Sequence, residues 1–284
     1  MTITSEASAV EVEGDLFDGE GHLVTIGGRT MRVAVRPGRG SRTPLLLLNG
    51  IGASLETFTP LMGQLDPELE LIRFDPPGVG GSPATSRPYR FHTLARFLAR
   101  VLDHLGHDQV DVLGFSWGGG LAQQFAFSQR RRCRRLILVA TGSGALMVPG
   151  SPRVLSHMIT PRRYRDPAYL LELAPQLYGG TVRDNLDELR PLLGSYRRGG
   201  QPGGYALQML AGVGWTSTPF LPLLHQNVLV LAGDDDPIIP TINGRIISGL
   251  LRHGELEVYH GGHIELVANP ALLAPSIERF LTRS

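Results

Sequence analysis

Three separated clusters in this chain carry the residue types needed for nucleophilic catalysis. The first is Gly114-Phe115-Ser116-Trp117-Gly118, a GxSxG pentapeptide between the apolar run Val110, Val112, Leu113 and the helix-like stretch Leu121 to Ala126. A strand that turns sharply into a helix holds its serine in strained backbone geometry, and flanking glycines remove side chains that would collide there. With 36 glycines in the chain the pentapeptide could arise by chance, so the argument needs its flanks and its partners. A serine hydroxyl is a poor nucleophile at neutral pH unless a base removes its proton, which calls for a histidine held by a carboxylate.

Both partners are expected downstream, because serine elbows of this kind are followed along the chain by the acid and then the histidine. The apolar run Asn227 to Ala232 leads into Gly233-Asp234-Asp235-Asp236-Pro237, and the run Glu255 to Tyr259 leads into His260-Gly261-Gly262-His263. Asp236 is the expected acid; Asp234 and Asp235 are expected to cap the turn or accept backbone N–H groups. His263 is the expected base, since the preceding glycine pair lets the loop turn inward, whereas His260 belongs to the strand alternation. The aspartate trio could also suggest a hard-cation site, but adjacent carboxylates cannot all converge on one ion without an unusual backbone, and no second ligand cluster follows. No metal site is expected, and the other seven histidines show no ligand spacing. A tetrahedral oxyanion needs donors as well. The turn Asn49-Gly50-Ile51-Gly52 after Leu45 to Leu48 places the backbone N–H of Ile51 as one, and the N–H of Trp117 is the other. The segment Asp75 to Ser82 is rich in glycine and proline but lacks a phosphate-loop lysine and GxGxxG spacing, so it reads as a structural turn near the cleft.

Such residues need a scaffold that gathers strand ends, and the chain supplies one. Strand-like runs at Thr30–Val35, Pro44–Leu48, Leu69–Phe74, Gln109–Gly114, Leu136–Ala140, Asn227–Ala232 and Glu255–Tyr259 alternate with helical stretches. That order predicts an α/β fold, a mostly parallel sheet flanked by helices, with its site at the carboxyl ends of the strands. Four runs are apolar enough for central strands. Between Leu138 and Val228 the alternation lapses for too long to be one loop. The stretch 144–223 mixes helical pieces (Tyr169–Leu177, Asp184–Leu193, Tyr205–Ala211) with Pro-Gly breaks, and is expected to be a helical cap inserted into a core of residues 23–143 and 224–284. Met147, Tyr178 and Trp215, with Met158, Tyr164 and Met209, could together line an acyl-binding cleft, although each taken singly reads first as ordinary cap packing. Residues 1–22 read as a flexible acidic arm.

Composition narrows the partners. A net charge of +1 gives no general reason to expect nucleic acid or an anionic membrane, and the dense run Arg130 to Arg135 reads as a solvated helix end. All 27 basic residues are arginine, which reads as coding bias. A single cysteine, Cys133, precludes an internal disulfide and reads as buried packing. No signal-peptide pattern precedes residue 20, and no apolar run is long enough to span a bilayer, so a cytoplasmic protein is expected.

Taken together, the elbow, the acid turn and the glycine-histidine near the end resemble the α/β-hydrolase superfamily. The match narrows to the intracellular depolymerases of medium-chain-length polyhydroxyalkanoates. It is carried by Asn49 to Ala53, Asp75 to Ser82, Phe115 to Gly119, Met147 to Gly150, Pro161 to Tyr164, Tyr178-Gly179-Gly180, Gly214 to Ser217 and Ala232 to Pro240. It runs from about Leu23 to Leu281 and includes the cap. The resemblance implies a storage polyester of 3-hydroxy fatty acids as substrate, attack by Ser116, proton transfer through His263, no metal or organic cofactor, and association with storage granules. Two features depart from the family pattern: a longer acidic arm, and Glu265 where an apolar residue is usual. The same residues would serve a carboxylesterase, lactonase or thioesterase on small acyl substrates. A granule-binding protein without activity is the remaining reading. A polyester synthase would carry cysteine, and a dehalogenase aspartate, at position 116.

Overall fold

The computed structural model describes residues 10–159, 166–195, 201 and 203–283. Among the described residues nine strands form a single sheet: β1 (Val10–Glu13), β2 (His22–Ile26), β3 (Arg29–Arg36), β4 (Leu45–Leu48), β5 (Leu71–Phe74), β6 (Val110–Phe115), β7 (Cys133–Val139), β8 (Asn227–Gly233) and β9 (Gly254–Tyr259). Their spatial order is β1-β2-β3-β5-β4-β6-β7-β8-β9. The pairings from β5 through β9 are parallel, and the first three strands join antiparallel at one edge.

The central strands are apolar without interruption because both their faces are covered. Leu46, Leu48, Val112, Leu136, Leu138, Val228 and Val230 point into one core layer, shared with the helices Phe91–His104 and Trp117–Ser128. Their chain neighbours Leu45, Leu47, Leu113, Ile137, Val139, Leu229 and Leu231 point into the other, shared with the helix Pro270–Thr282. Alternating Cβ directions divide each run between the layers, and every βα turn emerges at the same sheet edge.

Two expectations need correction. Residues 10–22, placed in a flexible arm, instead form β1, a short 3-10 turn at Leu16–Asp18 and the first residue of β2. Val10 and Val12 pack against the core while Glu11 and Glu13 face water, so a half-buried edge strand reads in sequence as an acidic tail. Residues 1–9 of that arm lie outside the described residues. The arginine run is also not wholly a solvated helix end. Its helix stops at Ser128, and the run continues into β7. There Arg134 Nε donates to the buried Asp111 at 2.8 Å, and Arg135 is buried and donates to Leu281 O at 2.9 Å. Only Arg130 and Arg131 of the run are classed as exposed.

The chain between β7 and β8 leaves the sheet as helices at Pro152–Ile159, Pro167–Tyr178, Gly180–Asp184, Leu186–Ser195 and Gly204–Gly212. Its two ends meet in an antiparallel bridge, Gly144 to Thr216. Ala145 N–H donates to Trp215 O at 2.8 Å and Ser217 N–H donates to Ser143 O at 2.9 Å. The insertion therefore departs and returns through one neck above the carboxyl end of β7. Among the described residues no helix is long and apolar enough to cross a membrane.

Candidate active site

Ser116 occupies the turn between β6 and the helix Trp117–Ser128 with φ 52° and ψ −117°. A non-glycine residue held there carries strain of order 1–3 kcal/mol, so the surroundings must impose it. Ser116 N–H donates to Val139 O at 2.9 Å, and its carbonyl accepts from Thr141 Oγ1 at 2.7 Å and from Gly119 N–H at 2.9 Å. The flanking glycines allow the close approach. A Cβ on Gly118 would lie 2.0 Å from Leu48 O, and one on Gly114 would lie 2.5 Å from the Ala122 Cβ.

Two strand ends complete the arrangement. His263 Nε2 lies 3.0 Å from Ser116 Oγ, and His263 Nδ1 lies 2.7 Å from Asp236 Oδ2. A carboxylate can only accept, so Nδ1 carries the hydrogen and Nε2 presents its lone pair to the serine hydroxyl. Asp236 is fixed in turn: its Oδ1 accepts the N–H groups of Ile238 and Ile239, each at 2.9 Å. The acid and the imidazole are nearly sealed, with side chains 0% and 5% exposed. Such a relay can draw the Ser116 proton onto Nε2 as Oγ attacks an electrophilic carbon.

Neighbouring polar residues point elsewhere. Asp234 accepts Gly261 N–H and lies 3.0 Å from Nδ1 of the exposed His260, whose pKa it raises. Asp235 Oδ2 accepts Gly180 N–H at 2.7 Å and Arg183 Nη1 at 2.6 Å. The three consecutive carboxylates thus diverge onto three separate sets of partners. The segment Asp75 to Ser82 is a closed turn, with Asp75 accepting Leu55 and Gly81 N–H groups at 2.7 and 2.8 Å. Burial pushes the Asp75 carboxyl up to about 6.

Of the expected oxyanion donors, Trp117 N–H is the first of its helix and has no intrahelical acceptor. Ile51 lies in the turn whose Gly50 abuts the nucleophile: a Cβ there would be 3.6 Å from Ser116 Cβ. The expected cleft residues are dispersed. Trp215 turns onto the nucleophile's helix, donating from Nε1 to Gln124 Oε1 at 2.9 Å and meeting Phe91 edge-on. Met147 lies over Gly142, whose Cβ would meet its Sδ at 2.5 Å. Tyr178 reaches the relay through its backbone, its carbonyl accepting His263 N–H at 2.7 Å. Met158 packs in a small cluster with Val154, Leu177 and Ile238, and Met209 is exposed. Tyr164 lies outside the described residues.

The residue least expected from the sequence is Glu265. Its side chain is buried, and it accepts from Thr181 N–H (2.7 Å), Thr181 Oγ1–H (2.7 Å) and Gly262 N–H (2.9 Å). Together with the Tyr178–His263 and Gly180–Asp235 bonds, it ties residues 178–181 of the insertion to the loops that carry the base and the acid. A charge beside the base marks the position in sequence, but nothing local reveals its partners. Glu265→Leu strands three donors, and is expected to lower unfolding free energy by about 3 kcal/mol and to reduce turnover. Glu265→Gln keeps an acceptor for both backbone N–H groups and should unfold in urea within about 1 kcal/mol of wild type. Equal midpoints for wild type and Glu265→Leu would contradict the assignment.

A parallel sheet with a strained serine elbow at one strand end, and an acid and a histidine at two later ones, is the architecture of the α/β hydrolases. The chain belongs to the α/β-hydrolase fold family, whose sequence profile matches residues 43–270. It is 48% identical to the poly(3-hydroxyalkanoate) depolymerase of Ectopseudomonas oleovorans over 258 residues, covering 91% of each chain. It is 25% identical to 3-oxoadipate enol-lactonase 2 of Acinetobacter baylyi over 87% of this chain and 91% of that one. Among solved structures, the enol-lactonase of Burkholderia xenovorans LB400 superposes with a TM-score of 0.78 over 90% of this chain and 98% of that one, at 20% identity, which speaks to the fold alone.

Proposed function

We propose that this protein is a serine ester hydrolase that cleaves medium-chain-length poly(3-hydroxyalkanoate) through an acyl-enzyme intermediate. The reaction class is supported by the hydrogen-bonded line from Ser116 through His263 to Asp236. The substrate is supported by the 48% identical depolymerase, whose match extends through the inserted segment. Ser116 Oγ attacks an ester carbonyl as His263 Nε2 takes its proton. The N–H groups of Ile51 and Trp117 meet the tetrahedral oxyanion, where loss of one donor typically costs about 3–4 kcal/mol. The imidazolium then protonates the departing 3-hydroxyl group. Water activated by the same nitrogen releases the acyl chain and restores the serine. Residues 144–223 act as the cap over this site, and the enzyme works in the cytoplasm on polyester granules.

Product analysis after incubation with emulsified medium-side-chain and short-side-chain polyesters, beside short nitrophenyl esters, tests the reading. Release of soluble 3-hydroxy acids or their short oligomers from the medium-side-chain polymer is expected. Turnover of nitrophenyl esters with both polymers intact would assign the protein to the small-ester hydrolases instead.

A further inference from the structure

Gln208 sits on the insertion's helix Gly204–Gly212 with none of its surface exposed, and it bonds both the turn that carries Ile51 and the side chain of Trp117. Its Oε1 accepts Gly52 N–H at 2.7 Å, and its backbone carbonyl accepts Trp117 Nε1–H at 2.9 Å. The Gly52 N–H can only donate, so the amide oxygen must face it and Nε2 must face away. That nitrogen is sealed from solvent and has no hydrogen-bond partner among the described residues. A buried amide with two idle N–H donors is costly, and a methionine would fill nearly the same volume without that cost. Two other buried glutamines differ. In Gln123 and Gln226 the idle atom is the oxygen, while the nitrogen donates to backbone carbonyls of Gly119, Gly142 and Ala126.

The idle donor of Gln208 shares an amide group with the oxygen that accepts Gly52 N–H, one residue along the turn from the proposed Ile51 donor. In a 3-hydroxyacyl polyester every attacked carbonyl has a second oxygen function two carbons away, at C3. A plain fatty acyl ester has none. We propose that Gln208 Nε2 donates a hydrogen bond to the C3 oxygen function of the bound acyl unit, and so selects 3-oxygenated acyl esters over unsubstituted ones. The inference rests on the ester-hydrolase reading and adds a specificity-determining residue to it. It also accounts for a buried polar side chain on the cap reaching across to the core: the cap that covers the acyl chain carries the donor that inspects it.

The test compares two esters with one leaving group, nitrophenyl octanoate and nitrophenyl 3-acetoxyoctanoate, on the full-length protein. Wild type is expected to favour the 3-acetoxy ester. Gln208→Met removes the donor and also the acceptor of Gly52 N–H, so kcat/KM should fall for both esters, and for the 3-acetoxy ester by about tenfold to hundredfold more than for octanoate. Gln208→Glu retains an acceptor for Gly52 but offers no amide donor. It should lose the same preference, so the ratio remains readable if the methionine variant does not fold. Equal losses on both esters would show a latch between cap and core with no part in selection, and would overturn the proposal. A glutamate variant that keeps the wild-type ratio would overturn it too. Wild type that cleaves both nitrophenyl esters but leaves polymer intact would instead refute the polyester reading, and the ratio would still report on Gln208.

Discussion

Ser116→Ala is expected to lower kcat on any ester substrate by about 10⁴- to 10⁶-fold with the fold unchanged. The hydroxyl is the atom facing His263 Nε2 at 3.0 Å, and no other side chain is hydrogen-bonded to that nitrogen among the described residues. His263→Ala should be similarly damaging, because an alcohol without a base is no nucleophile at neutral pH. The double variant should be little worse than either single one, since residues acting as a unit do not contribute additively. Single-turnover kinetics on a nitrophenyl ester measure all three. Stability should move the other way from activity. The elbow backbone at φ 52° is strained for serine and alanine alike, whereas glycine relieves it, so Ser116→Gly should be inactive yet about 1 kcal/mol more stable. A Ser116→Ala protein that retained polyester breakdown would leave only a granule-binding role for this site, with some other group doing the chemistry.

The parts of the molecule legible in sequence are those whose physics is local. Leu45 to Leu48 and Val228 to Leu231 read as central strands because burial on both faces leaves no room for polar residues, and the turns that follow them carry the polar groups the sheet gathers. β1 is hard to read from sequence because its glutamates face water and only alternate residues touch the core. Arg134 and Arg135 defeat a local reading because a charge at the start of a strand looks like a charge at the end of a helix, and only the fold reveals Asp111 and the Leu281 carbonyl as partners. Gln208 and Glu265 left no motif, because their partners are backbone N–H groups that lie 156 and 84 residues away for Gly52 and Thr181. Trp215 illustrates the converse. A large aromatic side chain in a cap suggests a substrate wall, yet its indole N–H is satisfied by Gln124 and its ring rests on Phe91, so much of its surface is packing.

The contacts of residues 178–181 also bear on how the segment between β7 and β8 is anchored. Tyr178, Gly180 and Thr181 are bonded to the His263 loop, the Asp235 turn and Glu265 respectively, so this part of the insertion is continuous with the loops that hold the acid and the base. Gly180 has φ 47°, and a Cβ there would lie 2.1 Å from Gly262 N, so the contact depends on a residue without a side chain. This part of the chain between β7 and β8 is thereby fixed to the loops that orient the imidazole.

That rigidity matters because the imidazole must be held in one tautomer, and Asp236→Asn is expected to change the tautomer with little other disturbance. The asparagine oxygen can still accept the Ile238 and Ile239 N–H groups now bonded to Oδ1, each at 2.9 Å, so the turn after β8 has no reason to rearrange. Its amide nitrogen then replaces Oδ2 at the position 2.7 Å from His263 Nδ1. A donor there favours a lone pair on Nδ1, which moves the ring hydrogen to Nε2 and leaves that nitrogen unable to accept the Ser116 proton. A carboxylate that stabilises the imidazolium is lost as well, and kcat is expected to fall by about 10⁴-fold at neutral pH with the melting temperature little changed. Asp235→Asn provides the contrast. Asp235 binds Gly180 and Arg183 and is not hydrogen-bonded to the imidazole, so its amide should keep kcat within about tenfold of wild type. Matching pre-steady-state rates for wild type and Asp236→Asn would mean that the buried carboxylate serves the turn alone, and that the base is oriented by the Tyr178 carbonyl and the loop around it.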